Sequence, residues 1–166
     1  MLQAGWADFI SSHPDGTVFQ SPEMYALFSG TKRMKPVVVG LADAESGKLK
    51  GILSGVIIRE MKGPAGYFSS RTVVYGGPLI DPDLADQGQI LHLLLRELIH
   101  EVKSRSIFIQ FRNFQDQQGQ KSIFFDSGFR LRDRLNLIVD TSSAGIVKKN
   151  VTKIIEKDGK QSSCAY

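Results

Sequence analysis

The feature that most constrains the fold is an amphipathic helix that the sequence places between two apolar strands. Residues 89–103 carry apolar side chains at three- and four-residue spacing, namely Leu91, Leu94, Leu95, Leu98, Ile99 and Val102. That period buries one face of an α-helix. Strands are predicted before it at residues 67–75 and after it at residues 107–111. A strand, a helix and a strand in this order predict a parallel, right-handed crossover, and therefore an α/β fold.

The other segments predict helices on both sides of a mixed sheet. Two strands, at residues 35–43 and 48–60, are joined by a hairpin turn with Gly47 at a position that favours positive φ. Gly76-Gly77-Pro78 interrupts a strand before Leu79-Ile80, which indicates a bulge or a close backbone approach. The remaining predicted elements are helices at 6–12, 22–28 and 121–127, and strands at 17–20, 129–134 and 135–139.

Positive charge is concentrated at the end of the 166-residue chain. The whole chain has a net charge of +4, from 21 Lys and Arg against 17 Asp and Glu. Residues 141–166 contain five lysines against Glu156 and Asp158, which leaves residues 1–140 nearly neutral. We therefore predict a single domain over residues 1–140 and a basic helical linker or tail over residues 141–166. A nearly neutral domain argues against a DNA-binding protein.

Several classes of protein are disfavoured by what the sequence lacks. Cys164 is the only cysteine, which excludes an intramolecular disulfide and a cysteine-based zinc site. The three histidines, His13, His92 and His100, fit neither a catalytic triad nor a metal site, so no catalytic residue is identified. The first residues do not have the pattern of a signal peptide, and no apolar stretch is long enough to span a membrane. These patterns predict a cytoplasmic protein.

The order of elements resembles the GNAT acyltransferase fold. A long amphipathic helix follows a strand that ends in Gly76-Gly77-Pro78, and residues 123–129 are similar to the short helix, glycine and phenylalanine that precede the last hairpin of that fold. The resemblance covers residues 1–140. It implies an α/β fold with a GNAT-like mixed, mostly antiparallel central sheet flanked by helices. It also implies an enzyme that transfers an acyl group to an amine.

Within that superfamily the sequence resembles the FemAB-like branch, the aminoacyltransferases that build peptidoglycan cross-bridges. The similar segments occur in the same order, at residues 17–25, 71–78, 111–113 and 128–129. FemAB-like enzymes contain two such domains, so the resemblance implies that this chain is the N-terminal half only. It further implies aminoacyl-tRNA or another acyl donor as a partner. A second GNAT-like domain, of the same protein or of a partner chain, would complete the substrate site, so the chain alone need not be active.

The resemblance to acetyl-CoA-binding GNAT enzymes ends at the loop before the long helix. Those enzymes have an Arg/Gln-x-x-Gly-x-Gly/Ala loop, whose backbone N–H groups bind the pyrophosphate. Residues 81–89 contain three aspartates and one glycine instead. We therefore expect no acetyl-CoA binding and no resident cofactor. Two alternatives to an aminoacyltransferase stay open: a non-catalytic GNAT-like module that packs on a partner domain, and an ordinary N-acetyltransferase with a degenerate CoA loop.

The predicted substrate-binding residues lie at strand ends. Arg71 and Arg112 each flank an apolar strand, and Asn113 follows Arg112. If both strands are central, their ends meet at the splayed sheet edge where this fold places acyl donors, and a guanidinium there binds phosphate or carboxylate. The alternative for both arginines is a structural ion pair. Gly76 and Gly77 offer backbone groups to a ligand, or form only a kink.

Two further groups of residues complete the predicted site. Gln20 and Tyr25, beside an early helix, are expected to line the acceptor site, with a solvated turn and a core-edge tyrosine as the alternative. On a helix, Lys149, Lys153 and Lys157 form one basic stripe. That stripe is expected to contact the phosphates of tRNA, with a solvated linker face as the alternative.

Overall fold

The computed structural model describes residues 2–63, 65–113, 118–130 and 132. A sheet of five strands forms their centre, in the order β1-β2-β3-β5, and β4 pairs with β2 beyond the end of β3. β3 and β5 are parallel, whereas the other pairs are antiparallel. The strands are β1 Met34–Ala42, β2 Leu49–Arg59, β3 Ser70–Tyr75, β4 Leu79–Ile80 and β5 Phe108–Arg112. The predicted mixed, mostly antiparallel sheet and its parallel crossover are confirmed.

Helices cover both faces of this sheet. The five are α1 Leu2–Ser12, α2 Pro22–Gly30, α3 Ala65–Phe68, α4 Gln87–Val102 and α5 Lys121–Asp126, with short 3-10 turns at Val18–Gln20 and Gln118–Gln120. Ser21 caps α2, because its hydroxyl accepts a hydrogen bond from the Met24 N–H at 3.3 Å. None of the helices in the described ranges is long and apolar enough to cross a membrane.

Each face of the sheet has its own apolar cluster. The α4 face buries the leucine stripe of the helix against Leu53, Ile57 and Val74. On the other face, Trp6 and Ile10 of α1 pack against Leu49, Ile52 and Leu79. Burying one such side chain contributes about 1.5–3 kcal/mol, so α4 is held chiefly by its apolar stripe. The sheet therefore separates the α4 side of the molecule from the α1 and α2 side.

β3 and β4 are one strand interrupted by two additional residues. Val74 pairs with Gly55 and Leu79 pairs with Ile52, so five residue steps on one strand face three on the other. Gly76 and Gly77, which lie in the interruption, have φ values of 82° and 81°. Residues with a side chain rarely adopt such values. The bulge predicted at Gly76-Gly77-Pro78 is confirmed.

Two predicted strand segments are wrong. Val18–Gln20 form a 3-10 turn instead of a strand. The Gln20 side chain accepts a hydrogen bond from the Thr17 N–H, and that local bond competes with pairing to another strand. The strand predicted from residue 67 begins at Ser70, since α3 and a turn from Gly63 occupy the residues before it.

The described residues belong to a compact unit, Met1–Leu131, apart from Arg132. The second unit, Arg132–Tyr166, lies almost wholly outside the described residues. Of the closing strands predicted at 129–134 and 135–139, only residues 129, 130 and 132 are described. The helix predicted within residues 141–166 lies outside the described residues as well.

Candidate functional site

The parallel strands β3 and β5 end side by side, next to the interruption. Their register runs from Arg71 opposite Phe108 to Tyr75 opposite Arg112. The Gly76 N–H donates to the Arg112 carbonyl at 3.0 Å, which extends the pairing beyond β3. A Cβ atom on Gly77 would lie 2.7 Å from Asn113 Oδ1, and the φ of 81° also favours glycine here. The structure thus brings together Gly76, Gly77, Arg112 and Asn113, four of the residues that the sequence named as substrate-binding candidates.

Gln20 is fully buried against this pair of glycines. Its Nε2 donates to the Gly77 carbonyl at 3.3 Å. Its Oε1 accepts from the Thr17 N–H at 2.9 Å and from the Thr17 hydroxyl at 2.6 Å. Trp6 Nε1 in turn donates to the Gln20 carbonyl at 2.8 Å. Gln20 therefore holds the Gly77 carbonyl from within the core and is not exposed to solvent.

The two backbone groups of Gly77 differ in their hydrogen bonding. Its carbonyl is held by Gln20. Within the described ranges, no backbone carbonyl accepts a hydrogen bond from the Gly77 N–H. An N–H group buried without an acceptor is costly and therefore uncommon in proteins. Fixed N–H groups of this kind stabilise the oxyanion that forms during acyl transfer.

Arg112 lies beside the glycines and against an aromatic stack. Its guanidinium carbon is 5.7 Å from the centroid of the Tyr75 ring, a cation–π distance. The Tyr75 ring stacks with Phe19 at 5.5 Å and with Phe28 at 6.4 Å. Arg112 is exposed, and it forms no ion pair with any residue that the structure describes. The guanidinium thus contacts the Tyr75 ring and has no carboxylate partner among the described residues.

Arg71 does not lie at this end of the sheet. It begins β3, four residue steps before the position of Arg112, which is about 13 Å along the strands. Its guanidinium forms an ion pair with Glu60 at 2.7 Å. The predicted meeting of Arg71 and Arg112 is therefore wrong, because parallel strands place the start of one beside the start of the other. The ion pair is the alternative that the sequence left open.

Tyr25 packs against α1. Its ring packs edge-on against Trp6, with the centroids 5.7 Å apart, and belongs to the apolar cluster of the α1 face. This is the core-edge position that was the alternative to an acceptor site. Lys149, Lys153 and Lys157 lie outside the described residues.

The loop between β4 and α4 is occupied by its own carboxylates. Asp81 Oδ2 pairs with Lys48 Nζ at 3.0 Å, and Oδ1 accepts from the Asp83 N–H at 3.1 Å. These hydrogen bonds lower the pKa of Asp81, so the group is an anion near neutral pH. Asp86 precedes α4 at its N-cap position. The residues here do not fit a pyrophosphate, because negative charge already occupies the loop and one of its N–H groups is used.

Sequence reasoning missed Tyr75 and its two stacking partners. Tyr75 is the last residue of β3 and the direct neighbour of Arg112. The interaction follows from the pairing register of two strands that lie more than thirty residues apart, which the sequence pattern does not specify.

In the described part of the chain, no group of three His, Cys, Asp or Glu side chains is placed to hold a metal ion.

Several solved structures with this fold are acetyltransferases. A Trypanosoma brucei acetyltransferase matches with a TM-score of 0.59 at 13% identity, over 82% of this chain and 91% of that one. Glucosamine-6-phosphate N-acetyltransferase from Arabidopsis thaliana matches with a TM-score of 0.55 at 12% identity, over 82% and 90%. An aminoglycoside 6'-N-acetyltransferase from Acinetobacter haemolyticus matches with a TM-score of 0.52 at 11% identity, over 84% and 92%.

These matches extend over most of both chains, so the likeness is to whole GNAT domains. No protein-family model matches the chain, and no curated protein matches it either. The chain therefore has the fold of the GNAT acetyltransferases, in agreement with the sequence. At these identities the likeness establishes the fold alone.

Proposed function

We propose that this chain is a GNAT-type acyltransferase domain that transfers an aminoacyl group from an activated ester to an amine. We further propose that it is the first half of a FemAB-like protein. One observation carries the proposal: Gly77 has its carbonyl anchored by Gln20 and its N–H without a carbonyl acceptor among the described residues. The site lies where two parallel strands end at a bulge, in a fold shared with acetyltransferases.

The reaction needs positioning and charge stabilisation more than acid–base catalysis. The lone pair of the acceptor nitrogen attacks the carbonyl carbon of the ester, a C–N bond forms, and the carbonyl oxygen becomes an oxyanion. The Gly77 N–H is proposed to donate to that oxygen. Collapse breaks the C–O bond, and the departing oxygen takes the proton that the nitrogen loses. An aminoacyl ester is activated already, which suits a site without an identified general base.

The donor is proposed to be an aminoacyl-tRNA because the loop before α4 does not fit a CoA pyrophosphate. Asp81, Asp83 and Asp86 place carboxylates there, and Lys48 is engaged by Asp81. The phosphates of tRNA would instead meet the basic residues Lys149, Lys153 and Lys157, whose spacing forms one stripe on a helix.

Binding of aminoacyl-tRNA across a salt series tests this proposal. We expect binding at low salt that weakens steeply as salt is added, since each phosphate contact releases counterions. Replacing the three stripe lysines by glutamine is expected to reduce the slope of log K against log salt by about 2–3. Replacing Lys32, Lys62 and Lys103, which are exposed lysines of the other unit, is the matched control and is expected to leave the slope unchanged.

Three outcomes separate the proposed function from its alternatives. No binding of aminoacyl-tRNA even at low salt would remove the aminoacyl version. Saturable binding of acetyl-CoA in the micromolar range would contradict the interpretation of the Asp81 loop and would favour an ordinary N-acetyltransferase. Binding of neither donor would favour a non-catalytic GNAT-like module that packs on a partner domain.

A further inference from the structure

We propose that Arg112 binds an anionic group, a carboxylate or a phosphate, of the amine substrate. The inference rests on the proposed function, because it names the substrate class of the same site. Arg112 directly precedes Asn113, which contacts Gly77, and the Arg112 carbonyl accepts from the Gly76 N–H. An anion held by this guanidinium would therefore sit at the end of the sheet where the Gly77 N–H lies.

The environment of Arg112 differs from that of the arginines with structural partners. Arg71, Arg96 and Arg105 each pair with a carboxylate, at distances of 2.7, 3.1 and 2.6 Å. Arg112 has no such partner among the described residues and rests against the Tyr75 ring. The N–H donors of a guanidinium match two oxygens of a carboxylate or phosphate.

The aromatic stack gives the guanidinium a surface to rest on. Phe19 and Phe28 both stack with Tyr75, and their rings are within 26° and 24° of parallel with it. Phe28 belongs to α2, so the stack ties the end of β3 to a helix. An arginine held in this way loses less side-chain entropy when a ligand binds. Preorganisation of this kind favours a binding role over a solvated surface charge.

Arg112 lies on the face of the sheet opposite α4, which supports an anion of the amine substrate. The Val74 side chain belongs to the cluster under α4, so the next residue, Tyr75, points to the opposite face. Arg112 is paired with Tyr75 and shares its face. The sheet therefore stands between Arg112 and α4, so an anion at Arg112 would lie on the α1 and α2 side, where the acceptor was expected.

Three amines that differ only in one terminal group test the inference. Ethanolamine, β-alanine and O-phosphoethanolamine share an aminoethyl chain that ends in a hydroxyl, a carboxylate or a phosphate. Binding of each to the full chain is measured by calorimetry or by NMR titration, without a donor. We expect at least one anionic amine to bind about tenfold or more tightly than ethanolamine, since a charged hydrogen-bonded pair is worth that much. The amine that binds more tightly shows whether the anionic group of the substrate is a carboxylate or a phosphate.

Substitutions then assign the preference to Arg112. Arg112→Gln is expected to weaken binding of the preferred anion by about 10–100-fold and to change ethanolamine binding less than about twofold. Arg112→Lys is expected to retain part of the preference, because lysine keeps the charge but not the two-pronged geometry. Arg96→Gln, an exposed α4 arginine paired only with the adjacent Glu97, is the control and is expected to bind like the parent chain. Circular dichroism confirms that each variant is folded.

The outcomes distinguish this inference from the proposed function. Equal or absent binding of the three amines, or a preference that survives Arg112→Gln, overturns the inference. Aminoacyl transfer at equal rates to all three amines would overturn it while supporting the proposed function. A charge preference that depends on Arg112, in a chain that transfers no aminoacyl group, would support the inference and refute the proposed function.

Discussion

Replacing Gly76 by alanine tests whether Gln20 and the glycine pair form one rigid unit. Gly76 has a φ of 82°, and a Cβ atom there would lie 2.6 Å from Gln20 Nε2 and 2.9 Å from Gln20 Cδ. Gln20 is fully buried, so its side chain has no open space into which it can move. The substitution therefore imposes both backbone strain and a displacement of Gln20.

The size of the effect follows from these two contributions. A left-handed conformation costs a residue with a Cβ atom about 1–2 kcal/mol. Displacing Gln20 breaks its hydrogen bonds to Thr17 and to the Gly77 carbonyl, and a buried polar group left without a partner costs about 1–3 kcal/mol. We expect Gly76→Ala to lower the free energy of unfolding by about 2–5 kcal/mol, a large part of the stability of an ordinary domain.

Urea denaturation followed by circular dichroism measures the change. Gly47→Ala is the matched control, because Gly47 has a φ of 70° but no atom within 4 Å of the added Cβ. It is expected to lose only the backbone share of about 1–2 kcal/mol. Equal losses in the two variants would refute the reasoning. So would a Gly76→Ala, Gln20→Ala double variant whose loss equals the sum of the single losses, since residues in contact are expected to be coupled.

Two further predictions concern buried polar contacts. The hydroxyls of Thr72 and Ser106 are 2.7 Å apart in the core, so Thr72→Val is expected to lower the free energy of unfolding by about 1–3 kcal/mol. The double variant with Ser106→Ala is expected to lose less than the sum of the two single losses, and urea denaturation measures both. The Lys48 hydrogen bond and the Asp83 N–H lower the pKa of Asp81, so its contribution to stability is present above the unfolded pKa of about 3.9 and is lost as the pH falls through the lower folded value. The difference in unfolding midpoint between the parent chain and Asp81→Asn is therefore expected to be constant near neutral pH and to shrink below about pH 4; a difference that grows on acidification would contradict this.

The sequence predicted those parts of the fold that depend on local periodicity and on glycine. The leucine spacing of α4 and the turn at Gly47 are both observed. The glycine that follows α5 is observed as well, since Gly128 has a φ of 87° and donates to the Phe125 carbonyl. In each case the determining interaction lies within a few residues along the chain, so the local sequence is enough to predict it.

Long-range pairing was beyond the sequence pattern. The position of Arg71 depends on the register between β3 and β5, and the burial of Gln20 depends on contacts with Trp6 and Gly77. The candidate site was therefore predicted at its glycines and at Arg112-Asn113, and was missed at Tyr75, whose role is set by strand pairing.

The interruption between β3 and β4 contains an even number of additional residues, and that parity matters. Side chains alternate between the faces of a sheet, so an insertion of one residue would exchange the faces of everything that follows. With two, Leu79 still enters the cluster with Trp6, and Ile80 still enters the cluster under α4. Gly76 and Gly77 thus lie outside the regular strand pairing, while each of the two apolar clusters keeps its residues. Deleting Gly76 or Gly77 alone would direct Leu79 and Ile80 into each other's clusters, whereas deleting both would restore a continuous strand without a site.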